Sequence, residues 1–217
     1  MMDNLGSWPI LSNSIHPPVH GLKKMQQTFG DFIDALPQSP EYLMLGFSPS
    51  SIPLQQRWRN NGLSADFLAD YFTTFFPIDD ENPHSWTQQA EIKSAVSYVA
   101  NELLENAMKF NDPSYDYPIS IALYFSTDQL IFSLTNSVVA EQVETFQRYL
   151  QDLIQSDPQE MLLLQLEKNA LEETSTSRLG YLTMMNDYGA KLGWKFDTLV
   201  DQNAPITTVT TMVQLAL

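Results

Sequence analysis

The stretch Ser94 to Phe110, SAVSYVANELLENAMKF, constrains this chain most, because it reads as an unbroken helix that carries polar residues on the face it must bury. At about 100° per residue, Ile92, Val96, Val99, Leu103, Ala107 and Phe110 fall on one stripe, with Ala95 at its edge. Asn106 lies one turn after Leu103 and two turns after Val99, so it points into or just beside that stripe. Glu102 and Lys109 flank it from the neighbouring turns, so all three can look into a single space. A buried amide without partners costs about 1 to 3 kcal/mol. Something beyond the helix must therefore satisfy Asn106: a neighbouring backbone group, with Glu102 and Lys109 as solvated rim charges, or a ligand.

The chain has 217 residues, 43% of them hydrophobic and 12% aromatic, enough for a packed core in one large domain with an extension. It has no cysteine, which excludes a disulfide framework, a thiolate metal site and a cysteine nucleophile. Eleven Lys and Arg stand against 26 Asp and Glu, a formal charge of -15 that repels phosphate backbones and anionic lipid surfaces, so neither nucleic acid nor membrane is an expected partner. The longest apolar runs, such as Met161 to Leu164, fall far short of a membrane span, and no basic segment followed by an apolar one opens the chain. A cytoplasmic location is the expectation.

Residues 1–20 hold Trp8, several prolines and two histidines without periodicity and read as an extended arm. His16 and His20 have a spacing that binds metal on a helix, but Pro17 and Pro18 between them argue against a helix, and no metal site is expected. From Gly21 to Leu36 the apolar residues Leu22, Met25, Phe29, Phe32, Ile33 and Leu36 recur at helical spacing, which predicts an amphipathic helix ended by Pro37. Such a helix buries its stripe on its own domain or on a second copy. The organisation expected is an arm and helix over 1–40 and a main domain over 41–217.

In that domain Glu41 to Ser48 reads as a strand and Leu63 to Phe76 as an aromatic helix. Asp79, Asp80 and Glu81 form a solvated turn without the spaced ligands of a calcium loop, and Trp86 opens the central helix. Ile119 to Phe125 and Leu130 to Thr135 form a hairpin, and Val139 to Ile154 the next helix. Asp157, Pro158 and Glu160 start another helix that runs to about Glu172. The polar loop Glu173 to Arg178 leads into a short helix, Leu179 to Tyr188, which Gly189 closes in a left-handed cap. Lys191 to Val200 and Ile206 to Leu215 are the last two strands. This order predicts an α/β two-layer sandwich, a mixed sheet with helices on one face.

The spelling Glu102-Leu103-x-x-Asn106-Ala107-x-Lys109-Phe110 resembles the N-box of the GHKL superfamily, the ATP-binding fold of histidine kinases and anti-sigma-factor kinases. The order of elements resembles that family as well. The resemblance implies that Asn106 holds magnesium against nucleotide phosphates, that Glu102 polarises a water and that Lys109 reaches a phosphate. The family's first glycine box, with its adenine-reading Asp, is here Leu134-Thr135-Asn136-Ser137-Val138, without Asp or glycine; Asn136 can still read a ring edge, since an amide offers donors and an acceptor. The second box is Ser175-Thr176-Ser177-Arg178-Leu179-Gly180-Tyr181, with one glycine, and reads either as an anion site or as an ordinary Ser/Thr helix cap.

An N-box beside a missing adenine reader resembles the SiaB-like branch of this fold, found beside a small signalling partner protein. Cyanobacterial members, to which the sequence looks closest, are reported to hold a flavin and respond to blue light. That resemblance implies FAD or FMN as cofactor. Candidate walls for its ring are Met108, Phe110, Tyr181, Met184, Met185 and Trp194; candidate amides are Asn106, Asn111 and Asn136; candidate phosphate partners are Lys109 and Arg178, with Ser175, Ser177 and Gly180 beside them. Trp86 or Trp194 is a candidate electron donor to the excited ring. Three readings follow: a flavin-binding light switch that passes its change to a partner or second subunit, an ATP- and magnesium-dependent protein kinase that uses Glu102 and Asn106, and an interaction module without a ligand.

Overall fold

A computed structural model describes residues 25–36, 41–49, 54–126, 128–171, 179–200 and 205–217. Within them lie six strands, β1 (Met25–Gly30), β2 (Tyr42–Phe47), β3 (Ile119–Phe125), β4 (Gln129–Val138), β5 (Lys191–Val200) and β6 (Pro205–Ala216). Five helices accompany them: α1 (Leu54–Thr73), α2 (Pro83–Phe110), α3 (Ala140–Gln155), α4 (Pro158–Leu171) and α5 (Leu179–Asp187). The strands make one sheet in the order β1-β5-β6-β4-β3-β2. The chain is thus an α/β sandwich with its helices on one face of the sheet.

Every neighbouring strand pair is antiparallel, which corrects the mixed sheet expected from the sequence. The connections explain it. β3–β4 and β5–β6 are hairpins, and α1 and α2 run antiparallel to each other between β2 and β3. Gln89 donates to the carbonyls of Thr73 and Phe76, Lys93 pairs with Asp70, and Ser97 donates to Asp66, so the two helices climb past one another in opposite directions. The chain returns to the end of the sheet it left, and β3 lies antiparallel to β2.

The amphipathic helix expected over Gly21 to Leu36 is also corrected: Met25–Gly30 is an edge strand, paired from Met25↔Thr198 to Gly30↔Gly193. The helical stripe that was to pack on its own domain or on a second copy is therefore not formed over Met25–Gly30. Phe29 satisfies both periods, since it sits in a three- and four-residue series and also shares a strand face with Gln27, Thr28 facing the other way. Tertiary contacts decide between them. On the helical side Phe29 meets Phe196 edge-on at 5.7 Å, and Gln147 of α3 donates to Gln27 at 2.8 Å. Gly30 then turns the chain at φ 64°, and residues 31–36 fold over the opposite face. There the Asp31 amide donates to the Leu192 carbonyl at 2.8 Å, Lys195 pairs with Asp34 at 2.6 Å, and the backbone of Phe32 lies directly on Gly193.

The core lies between helices and sheet. Val96, Val99, Leu103 and Ala107 of α2 are all at most 2% exposed, so the middle of the stripe read from the sequence is the buried face, while Ile92 at its start is partly buried and Phe110 at its end is exposed. They meet Ile121, Leu123, Phe132 and Leu134 in one apolar cluster. Each fully buried Leu or Val contributes roughly 1.5–3 kcal/mol. The ends at Asp157, which accepts from the amides of Gln159 and Glu160, and at Gly189, with φ 60°, are as expected, whereas α2 begins at Pro83, three residues before Trp86, with Asn82 capping it by accepting from the His84 amide, and α1 begins at Leu54 instead of Leu63.

A methyl group at Gly193 has no room against the Phe32 backbone, whereas Gly62, inside α1, faces open space. Gly193→Ala therefore costs about 2 kcal/mol or more, a fall in Tm of roughly 4–8 °C for a chain of this size. Gly62→Ala raises Tm, because a helical glycine costs about 0.5–1 kcal/mol relative to alanine. Thermal melts of the two variants beside the parent check both signs.

Candidate functional site

Strand alternation puts Leu134, Asn136 and Val138 of β4 on the helical face, beside Val209 and Thr211 of β6. Above them α2 presents Asn106 and Phe110, with Tyr181 of α5 and Phe146 of α3 at the sides. Between these elements is a recess of about 300 Å³, a figure that includes its open mouth. Its walls are apolar apart from the amides of Asn106 and Asn136 and the hydroxyls of Thr211 and Tyr181.

The two amides differ. Asn136 is buried, and its Nδ2 donates to the Ser137 carbonyl at 2.7 Å, which fixes the amide plane and leaves Oδ1 as an acceptor. Asn106 is half-buried and makes no hydrogen bond to any described residue. The partner its burial calls for is therefore not supplied by the described protein groups.

Glu102, one turn before Asn106, is half-buried, and burial first and the Glu105 carboxylate second push its carboxyl above the usual range. It reaches the start of α5, where its carboxylate occupies the space that a side chain at Gly180 would need. Gly180 has a structural reason to be glycine: it makes room for Glu102. Tyr181 is buried beside it with its ring edge-on to Trp194 at 5.3 Å, and burial raises the phenol's pKa while Trp194 and Thr211 offset part of the rise. The Trp194 indole N–H itself lies outside hydrogen-bonding geometry.

Of the residues singled out in the sequence, Asn106, Phe110, Asn136 and Tyr181 come together around the recess. Lys109 does not join them; it is exposed, with its ammonium 5.4 Å from the Phe110 ring centroid. Asn111 closes α2 instead of facing a ligand: its oxygen accepts from the Ser137 hydroxyl at 2.9 Å and its Nδ2 donates to the Asp112 carbonyl at 3.2 Å. Met184 and Trp194 are sealed in the core at 0% and 1% exposure, and Trp86 is exposed near the far end of α2. Ser175, Ser177 and Arg178 lie outside the described residues, as do His16 and His20. Thr211, Phe146 and Val209 were not singled out. The available signal was a threonine on an inward position of the last strand, where Thr207, Val209, Thr211 and Val213 alternate.

Two of the walls expected for a flavin ring, Met184 and Trp194, are buried in the core and do not line the recess. Magnesium is a different matter. No group of three His, Asp or Glu suited to a metal exists among the described residues. Magnesium, however, binds through one or two protein oxygens together with phosphates and waters. Asn106, on the recess and without a hydrogen-bond partner among the described residues, fits that more modest requirement, with the Glu102 carboxylate one turn away.

No protein-family model matches the chain, and no curated protein matches it. Among solved structures it is similar to a chain in the crystal structure of the SiaB–SiaC complex from Pseudomonas aeruginosa, with a TM-score of 0.49 and 13% identity over 81% of this chain and 89% of that one. No residue's role is carried over from that likeness. No helix among the described residues is long and apolar enough to cross a membrane.

Because the folded protein raises the Glu102 pKa, the folded state binds this proton more tightly than the unfolded chain does. The stabilisation from protonation is present below the unfolded value and is lost as pH rises through the folded value. At neutral pH the buried carboxylate is therefore a burden, and Glu102→Gln raises Tm. The advantage shrinks as pH falls toward the ordinary glutamate value of 4.5. Paired melts across that range check the sign.

Proposed function

We propose that the chain is a GHKL-like nucleotide-dependent protein kinase that acts on a small partner protein and takes a purine nucleotide in the recess under α2. The observation that carries this reading is the amide of Asn106, which makes no hydrogen bond to a described residue, on the same recess as the fixed acceptor of Asn136. An acceptor held toward the recess can read an exocyclic amino group such as that of adenine. Thr211 adds a hydroxyl that serves as donor or acceptor.

With nucleotide present, Asn106 would hold magnesium, which supplies neutralisation of phosphate charge. The transfer itself forms a bond between the partner's hydroxyl oxygen and the terminal phosphorus and breaks the bond from that phosphorus to the bridging oxygen, so that ADP leaves. The hydroxyl proton goes to the Glu102 carboxylate, whose raised pKa suits a base working nearer neutral pH. Lys109 is exposed beside Phe110 and is assigned no phosphate contact.

A second reading keeps the flavin and the light response on one observation. Tyr181 lies on the recess wall with Trp194 edge-on behind it, an aromatic pair able to donate electrons to an excited ring.

Calorimetry with magnesium and ADP, run beside absorption spectra of the protein with and without FMN or FAD, separates the readings. The expected result is a colourless protein that binds the magnesium nucleotide, with affinity reduced at least about tenfold by Asn106→Ala or Asn136→Leu, as for the loss of one hydrogen bond to a ligand. Flavin bands in the visible spectrum would transfer the site to the light-switch reading. Binding of neither ligand would leave a ligand-free interaction module and overturn the kinase.

A further inference from the structure

Helix α4 leaves much of its apolar content uncovered. Met161 and Leu162 pack against the core, but Leu163, Leu164 and Leu166 are 57%, 66% and 45% exposed. Glu160 lies three and four residues before Leu163 and Leu164, and Glu167 four and three residues after them, on one exposed face, so the leucine pair is bracketed by a carboxylate on either side. Lys168, beside Glu167, is the only cation on the helix.

We infer that this face docks a partner protein through an amphipathic helix whose apolar anchors are bracketed by Lys or Arg. Charge chooses this occupant. A second copy of the chain would bring Glu160 and Glu167 against their own counterparts, on a molecule of net charge -15, whereas a basic helix meets both carboxylates as it covers the leucines. The surface is also formed in advance. Asp157 caps the first turn, Asn186 of α5 donates to the Pro158 carbonyl at 3.0 Å, and the helix packs on α5, so little ordering is needed on binding. The inference does not rest on any ligand in the recess, although α5 also carries Gly180 and Tyr181.

The test uses the full chain without nucleotide and two labelled helical peptides, each with leucines at successive one-turn steps, one with a rim of lysines and the other with a rim of glutamates. Fluorescence anisotropy at physiological salt is expected to show binding of the lysine-rimmed peptide only. Leu163→Gln with Leu164→Gln weakens it at least about tenfold, and Glu160→Lys with Glu167→Lys reverses the preference toward the glutamate-rimmed peptide. Leu63→Gln with Phe67→Gln, on the exposed side of α1, leaves binding unchanged. The inference is overturned by no binding, by equal weakening from the α1 pair, or by leucine variants that bind as the parent does, which would reduce the effect to charge alone. A dimer by light scattering that the leucine variants dissolve would assign the face to self-association and overturn it as well. Because the charge-reversed protein predicts gain of a new ligand, an unfolded leucine variant does not leave the question open.

Discussion

The seat of α2 on β4 and β3 is the contact on which the rest of the architecture depends. Val96, Val99, Leu103 and Ala107 bury completely there, and their spacing fixes the rotation of the whole helix. Once that rotation is set, Asn106 has no freedom to turn into water: it must stand at the rim of the apolar stripe, over Asn136 and Thr211. The same rotation sends Glu102 toward the first turn of α5 and lifts Lys109 out over Phe110. One hydrophobic contact thus sorts three polar side chains on one helix into three environments.

The environments carry consequences that composition does not. A carboxylate wedged against Gly180 is partly desolvated, and a nearby Glu105 adds repulsion, so Glu102 holds its proton more readily than an exposed glutamate. An amide whose N–H already serves the Ser137 carbonyl presents only its oxygen. Asn136 therefore offers an acceptor where a carboxylate would offer one with a full charge. Glycine is needed at Gly180 by the protein's own packing, so its survival in the sequence is not by itself a sign of a nucleotide's approach.

Much of the fold was legible because its elements are punctuated. Pro158 after Asp157, Gly189 after Tyr188 and the alternation in Ile119 to Phe125 each mark a boundary by local chemistry, and the helices and strands fall where those marks put them. What local chemistry could not encode was pairing direction and tertiary preference. Nothing in β2 or β3 announces that the helical hairpin between them returns the chain to its starting end, so the all-antiparallel sheet was not foreseen. Met25 to Gly30 was misread because Leu22, Met25 and Phe29 fit a helix period, while the need of β5 for an outer partner and the bare backbone of Gly193 are visible only in three dimensions. At the site, Asn106, Phe110, Asn136 and Tyr181 were found through a motif. Thr211 was missed because an inward threonine among alternating threonines carries no distinguishing mark, and Trp194 was misplaced because sequence does not tell a wall from the core behind it.

The account turns on whether Asn106 and Asn136 face one ligand, and the most direct measurement is an asparagine-labelled spectrum of the side-chain amides during titration with magnesium and ADP. The account predicts that the Asn106 and Asn136 signals move together and saturate, while Asn111 and Asn186, already bonded within the protein, stay near their starting positions. Movement of Asn111 or Asn186 alone, or no movement of any amide at saturating nucleotide, would contradict it.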